Sequence, residues 1–372
     1  MIRKSPVLLV VASLFALSAE AGDIKQWTGA SSNVPGSMEA PQQKRFKTKE
    51  GYFETYLLTF YAKGGTWIQV RFILTNVGPG DGHGAVDVMR QGAALDGTDG
   101  RGFTRYIDKV ESRVRNVSNT NEPLDLQFRE TRLTKTNRGY RLILSAKDYQ
   151  LEADLKSVGP NWRPGNGEAA FPSGGRFGVH LMPALSTFKG RERVKNGEWR
   201  EIKGTGWGEH GYTNMLAHVL SNRFLRFHGR KGRYAVSFLE LFTPEHFAGE
   251  RVGYLVITKG KKVVASSLTA RSTAIDLKRD RKKPHHRVPF KYRIDAKTSD
   301  GKPISVDVEV GRTLYREDVL GTVPNWVRRV IQIFIQPVNY FNRAKFELVL
   351  PDASSVAGRG VSLYSPMKAT FK

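Results

Sequence analysis

The sequence predicts an all-β protein, and three observations carry that reading. First, apolar and polar residues alternate with period two over short segments. Tyr149, Leu151, Ala153 and Leu155 alternate with Gln150, Glu152, Asp154 and Lys156, and Ile304, Val306, Val308 and Val310 alternate with Ser305, Asp307 and Glu309. Successive side chains of a strand point to opposite faces, so this alternation marks antiparallel sheet with one face on a core. Second, tight-turn residues separate such segments, as at Lys63-Gly-Gly65, Lys259-Gly-Lys-Lys262 and Asp300-Gly301; glycine and aspartate accept the backbone conformations of hairpins. Third, the chain has no long helix-periodic segment, no glycine-rich loop opening a helix and no repeat at a solenoid period. Many short strands between turns indicate barrels or sandwiches.

Taken in order, the chain opens with Arg3 and Lys4, an apolar run from Pro6 to Leu17 and the small-residue site Ala19-Glu-Ala21. Residues 1–21 read as a signal peptide cleaved after Ala21, too short to span a bilayer. Export follows as an expectation, to the periplasm or outside of a bacterium. Residues 22–39 read as a flexible leader, inside a polar stretch rich in Ser, Gly, Pro and Gln that runs to Glu50. From Gly51 the pattern is β: Ile68, Val70, Phe72 and Leu74 form one apolar row, and Phe346, Leu348 and Leu350 end the series. Asn76 to Gly102 is glycine-dense and reads as a mobile loop or a lid at a barrel mouth. Thr322 to Phe341 supports two readings: Ile331, Ile333 and Ile335 fit a strand, while the run before Pro337 fits an amphipathic helix.

The 372 residues suffice for two ordinary cores, and the chain has no cysteine, so its stability rests on core packing and not on disulfides. The formal net charge is +24. For an exported protein this argues against nucleic acid and toward anionic lipid headgroups or another acidic surface. The basic run Asp276 to Arg287, with Lys282, Lys283 and Arg287, reads as a charged loop between strands. Together with Trp326, Arg328 and Arg329 it is the candidate contact for an anionic membrane, where Trp and cationic side chains are favoured.

The densest chemistry lies in Gly204-Thr-Gly-Trp-Gly-Glu-His-Gly-Tyr212, followed by Asn222-Arg-Phe-Leu-Arg-Phe-His-Gly229. Glu209 and His210 are neighbours on a strand, so at most one of them faces a given interior. Trp207, Tyr212, Phe224 and Phe227 are candidate walls for an apolar ligand, and Arg226 is a candidate partner for Glu209. Other chemistries lack their signatures. There is no His-Glu-x-x-His and no cysteine for zinc, and no Gly-x-Ser-x-Gly for a serine nucleophile. Asp81, His83 and Asp87 read as a solvated loop, so no metal and no cofactor is expected.

These motifs resemble the tandem-lipocalin group that includes carotenoid 1,2-hydratase, AttH-like proteins and survival-factor proteins. Gly51-Tyr-Phe-Glu-Thr-Tyr-Leu-Leu58 with Gly65-Thr-Trp-Ile-Gln-Val-Arg-Phe72 is similar to the family's opening hairpin. Phe177-Gly-Val-His-Leu-Met-Pro183 with Phe188-Lys-Gly190 is similar to its strand leading out of the first barrel. Gly204 to Tyr212 is similar to its Gly-x-Gly-aromatic-x-acid-His-x-aromatic motif, with Glu209 where the hydratases carry Asp and with Phe224 and Phe227 where paired Trp occurs. The resemblance implies two lipocalin-like antiparallel β-barrels, over residues 40–205 and 206–372, with a cavity near the domain junction. It implies an acid, here Glu209, that protonates an alkene, with His210 or Tyr212 assisting.

Three functions stay open at this level. The first is binding of an apolar or amphipathic small molecule, a lipid or isoprenoid, by Trp207, Phe224, Arg226, Phe227 and Glu54. The second is a hydratase or isomerase using Glu209, His210 and Tyr212, and the third is an envelope scaffold. Burial of apolar ligand surface would stabilise the first by about 25 cal/mol per Å².

Overall fold

The structure, a computed structural model, describes residues 22–27, 32–33, 51–76, 82–92, 104–113, 117–120, 124–322, 325–332 and 335–367. The signal peptide, most of the leader and Asp81 lie outside the described residues. The chain divides into two compact units. One is Thr28–Glu168 with Gly175–Leu216; the other is Met1–Trp27, Ala169–Gly174 and Ala217–Lys372. The expected boundary at 205/206 falls inside the strand Arg200–Thr213.

The first unit is built on β1 Phe53–Ala62, β2 Trp67–Thr75, β3 His83–Gly92, β4 Thr104–Arg113, β5 Val117–Thr120, β6 Asp125–Phe128, β7 Thr131–Thr136, β8 Gly139–Ser145, β9 Tyr149–Ser157, β10 Arg176–Leu181, β11 Ser186–Val194 and β12 Arg200–Thr213. All neighbours pair antiparallel, in the order β4-β3-β2-β1-β12-β11-β9-β8-β7-β6-β5, with β10 on the second half of β12. The sheet curls into a barrel. Phe72 of β2 and Phe128 of β6 lie seven ladders apart in that order, yet their rings meet edge to face at 5.6 Å. Phe60 and Phe188 make a second such pair at 5.0 Å. The inner face carries Tyr56, Leu58, Phe60, Ile68, Val70, Phe72, Val86, Val88, Leu151 and Leu155 in one core, the residues that the alternation selects.

The second unit is built on β13 Arg223–Lys231, β14 Tyr234–Phe242, β15 Arg251–Lys259, β16 Lys262–Ser267, β17 Arg271–Arg279, β18 Arg287–Lys297, β19 Pro303–Asp318, β20 Val338–Val349 and β21 Ser355–Pro366. Their antiparallel order is β16-β15-β14-β13-β21-β20-β19-β18-β17. Side chains join strands far apart in that order. Glu240 of β14 accepts from the backbone N–H of Ser272 in β17 at 2.9 Å and from its hydroxyl at 2.5 Å, and Arg251 of β15 forms an ion pair with Glu240 at 2.6 Å. This sheet also closes on itself around an apolar core that includes Phe227, Phe238, Tyr292, Ile294, Val306 and Phe346. The molecule is therefore all-β, with two antiparallel lipocalin-like barrels.

Three local expectations need correction, and one open reading resolves. The glycine-dense segment does not form one loop: residues 83–92 are a strand paired with β2 and β4, and Val86 and Val88 fill the core while the intervening Asp87 bonds Arg71 at 3.0 Å. The leader is not loose at its start. Lys25 bridges to Ala170, Ile24 and Trp27 are buried, and the Trp27 indole donates to the Gly253 carbonyl at 3.2 Å. The basic run is loop only over 280–286, because residues 276–279 extend β17. The ambiguous segment holds a helix over Asn325–Gln332, followed by β20 from Val338. Among the described residues no helix is long and apolar enough to cross a membrane.

Candidate functional site

Strand β12 sets the geometry. Its positions 204, 206, 208, 210 and 212 register with Ala62, Phe60, Leu58, Tyr56 and Glu54 of β1. Four of those partners belong to the barrel core, so this is the inner face. Glycines fill its first three places because neighbouring backbone comes too close for a side chain. A Cβ on Gly204 would lie 2.0 Å from the Tyr61 carbonyl oxygen, and one on Gly208 would lie 2.0 Å from that of Met182. His210 and Tyr212 follow on the same face. Glu209 and Trp207, at odd positions opposite Leu57 and Thr59, are buried on the other face. The structure therefore separates the adjacent acid and imidazole.

The acid that meets His210 is Glu54. His210 Nε2 and Glu54 Oε1 are 2.7 Å apart, with side-chain exposures of 1% and 0%. Tyr52 donates its hydroxyl to Glu54 Oε2, and Tyr56 donates to Oε1 at 3.3 Å. The His210 ring lies flat on Tyr56, centroids 4.2 Å apart and planes 5° apart. Burial, then the charge and hydrogen bond of Glu54, push the Tyr52 phenol far above its ordinary pKa, so it remains a donor. One carboxylate thus takes two phenols and an imidazole, a geometry that fixes both its oxygens.

A second layer sits one step along. The Tyr212 hydroxyl donates to Glu168 Oε2 at 2.9 Å, and Glu168 Oε1 pairs with Arg176 Nε at 3.2 Å. The Tyr212 ring covers Gly178, where a Cβ would lie 2.2 Å from the ring. On the far side of β12, buried His180 of β10 stands directly opposite His210. Tyr56, His210 and His180 therefore form one row across three strands.

Other expected residues belong to the second unit or to β3. Phe224, Arg226 and Phe227 are on β13 in the second unit. Phe227 is in its core, 5.5 Å from Phe346, whereas Phe224 and Arg226 alternate onto the opposite face and are half-buried. Lys283 and Arg328 converge on Asp318, at 3.7 and 2.8 Å, while Lys282, Arg287, Trp326 and Arg329 are exposed. Of the three residues expected in a solvated loop, His83 and Asp87 are parts of β3 and Asp81 lies outside the described residues. Among the described residues no group of three acid, His or Cys side chains is arranged to hold a metal.

Several polar groups escaped the sequence reading. Arg90 and Glu192 form a fork-to-fork pair inside the first barrel, at 2.7 and 2.8 Å, and Tyr149 donates to the same carboxylate at 2.7 Å. Both charges are on the inner face, Arg90 following Val86 and Val88 and Glu192 following Phe188. In the second unit Asp280 Oδ2 takes Tyr340 at 2.5 Å and Arg316 Nε at 2.7 Å, and His286 Nδ1 lies 3.2 Å from the same Tyr340 hydroxyl. The available signal was a polar residue at an inward place in an apolar alternation, legible for Arg90 and for Tyr52 and Tyr56, two places to either side of the expected Glu54.

Solved structures share the fold. The chain is 13% identical to CghA in complex with Sch210972, with a TM-score of 0.59 over 95% of this chain and 99% of that one. It is 14% identical to an AttH-like protein from Nitrosomonas europaea, TM-score 0.58, over 85% and 91%. It is 12% identical to kievitone hydratase from Nectria haematococca, TM-score 0.53, over 94% and 99%. No curated protein matches in sequence. The resemblance read from the motifs holds, because the model of the Svf1 family matches residues 116–364, and the chain belongs to the Svf1 family.

Proposed function

We propose that the protein binds an amphipathic small molecule, a lipid or isoprenoid, against the inner wall of the first barrel, with Glu54 and His210 orienting its polar end. The observation that carries this reading is the buried Glu54–His210 pair at 2.7 Å, set beside the apolar core of the first barrel and distinct from its Arg90–Glu192 pair. Buried charge is costly unless paired and hydrogen-bonded, and apolar pockets with a few convergent polar groups are the usual form of a ligand site. A relative of this fold is described with the small molecule Sch210972, which supports the same use here. Both oxygens of Glu54 already face donors of the protein itself, so the pair suits recognition better than donation of a proton. The proposal includes export, on the strength of the signal-like residues 1–21.

A second reading has one observation in its favour: the pair is an acid and a base in direct contact, and a structural relative is named a hydratase. In that reading His210, protonated and braced by Glu54, gives a proton to an alkene carbon. Water then adds to the cation and returns a proton to His210, for a net gain of one water. Glu209, on the other face of β12, takes no part.

The test is an organic extract of the natively purified protein analysed by mass spectrometry. Binding predicts one stoichiometric amphiphile, retained by Glu209→Gln and lost or weakened in Glu54→Gln and His210→Gln. Incubation that adds one water to that molecule selects the hydratase. A protein that emerges empty, and takes up neither fatty acid nor isoprenoid when these are offered, overturns both.

A further inference from the structure

The second unit presents basic side chains and an exposed indole on two segments tied to the same carboxylate. Loop 280–286 is anchored from below: His286 is buried against Tyr340, Asp280 holds Arg316 and Tyr340, and the Asp280 N–H bonds the His286 carbonyl at 3.0 Å. The helix Asn325–Gln332 is tied to the same place, because Asp318, the last residue of β19, accepts from Arg328 of the helix at 2.8 Å and lies 3.7 Å from Lys283 of the loop. Two segments some forty residues apart are thus tied together at Asp318.

At that junction the inner carboxylates are already used. Asp280 and Asp318 are engaged by Arg316, Arg328 and Lys283. Arg281, Lys282 and Arg329 are exposed, and among the described residues none of them has an ion-pair partner. Trp326 is 59% exposed and Val319, at the turn before the helix, is 43% exposed. Trp326 and Arg329 are three residues apart, hence on one helix face. An exposed indole and unpaired cations, on a frame tied by hydrogen bonds and ion pairs, have the chemistry of a bilayer interface: the indole favours the headgroup level, and cations favour anionic lipid.

We infer that this region, Trp326 with Arg281, Lys282 and Arg329, docks the protein on the surface of an anionic phospholipid membrane. The partner is the headgroup layer. Contact is peripheral, since the helix has eight residues and the surface adds three surplus cations. It would bring the protein to the source or destination of an apolar ligand, but it does not depend on the ligand reading.

The test is co-sedimentation of the full chain with phosphatidylcholine vesicles, with and without phosphatidylserine, at low and high salt. The proposal expects binding that needs phosphatidylserine and fades with salt. Arg281→Gln with Arg329→Gln should weaken it about thirtyfold, taking each cation as roughly one kcal/mol and 1.4 kcal/mol per decade. Trp326→Ala should weaken binding further and reduce what persists at high salt. All these side chains are exposed, so thermal unfolding should be unchanged and loss of binding cannot be assigned to misfolding. Binding independent of phosphatidylserine, or indifferent to these substitutions, overturns the proposal. So does absence of vesicle binding, which would leave an acidic protein surface as the partner.

Discussion

Glu54 and His210 are 156 residues apart in the chain and 2.7 Å apart in the fold. They join the strand that opens the first barrel to the strand that ends it, and the contact is sealed from solvent. Removing one partner of such a pair leaves the other buried without its complement, which costs about 3–5 kcal/mol. Glu54→Ala and His210→Ala should each lower the stability of the first unit by that order, and the double variant by clearly less than the sum. Urea unfolding of the four proteins checks this. Additive losses would show that the two side chains act separately.

The sequence announced most of this barrel but not this pair. The strand Tyr149–Ser157 and the inner row Ile68, Val70, Phe72 and Leu74 follow from alternation because one face is apolar and the other is not. Alternation also said that Glu209 and His210 part company. It did not say which of them turns inward, because that depends on the register of β12 against β1. The inner parity is marked by glycines at 204, 206 and 208, which carry no hydropathy signal. Strand β3 was hidden for a related reason: the glycines and aspartate around it are turn formers, although Val86, Val88 and Arg90 alternate inward. The helix Asn325–Gln332 stayed ambiguous because isoleucines at 331, 333 and 335 fit period two as well as a helical stripe.

The glycines of β12 make a prediction within one strand. At Gly208 an added methyl would meet the Met182 carbonyl oxygen at 2.0 Å, and backbone cannot step aside cheaply. Gly208→Ala should destabilise the first unit by about 1–3 kcal/mol, as overpacking does. Gly211, three residues on, offers a methyl only ordinary contacts at 3.7–4.0 Å, so Gly211→Ala should be close to neutral. Thermal melts of the two variants check the contrast. Equal losses would mean that the strand responds to any side chain there, irrespective of the space.

The Arg90–Glu192 pair is a test of what a buried fork contributes. With both ends hydrogen-bonded, and Tyr149 on the same carboxylate, the pair is satisfied. Burial and the Glu192 charge hold the Tyr149 phenol well above its ordinary pKa, so it donates throughout the accessible range. Glu192→Leu alone strands a buried guanidinium and should cost about 3–5 kcal/mol. Arg90→Met with Glu192→Leu removes both charges and should recover most of that loss. Chemical denaturation of the single and double variants checks it. A double variant as unstable as the single would show that the pair specifies the barrel's geometry and is not merely tolerated.

Acid should weaken the second unit through two histidines. Burial first, and then the Arg230 charge, lower His228 to about 3, and the Ser237 hydroxyl holds its Nδ1 at 2.7 Å. Burial first, and then Lys283, Arg316 and His285, lower His286 to about 4 against the opposing pull of Asp280. Both rings are neutral in the native state at pH 7, while in the unfolded chain they take up protons near 6.5. The unfolded state therefore binds more protons as pH falls below about 6.5. The stability that these groups contribute is intact above that pH. It is lost progressively down to about 4 for His286 and 3 for His228, at up to about 1.4 kcal/mol per pH unit for each ring. Urea midpoints between pH 7 and pH 5 should fall accordingly. His228→Gln should flatten the slope by roughly half while lowering stability at pH 7 through the lost packing. A slope unchanged by that substitution would mean that His228 already carries its proton in the fold, or that other groups govern the acid response.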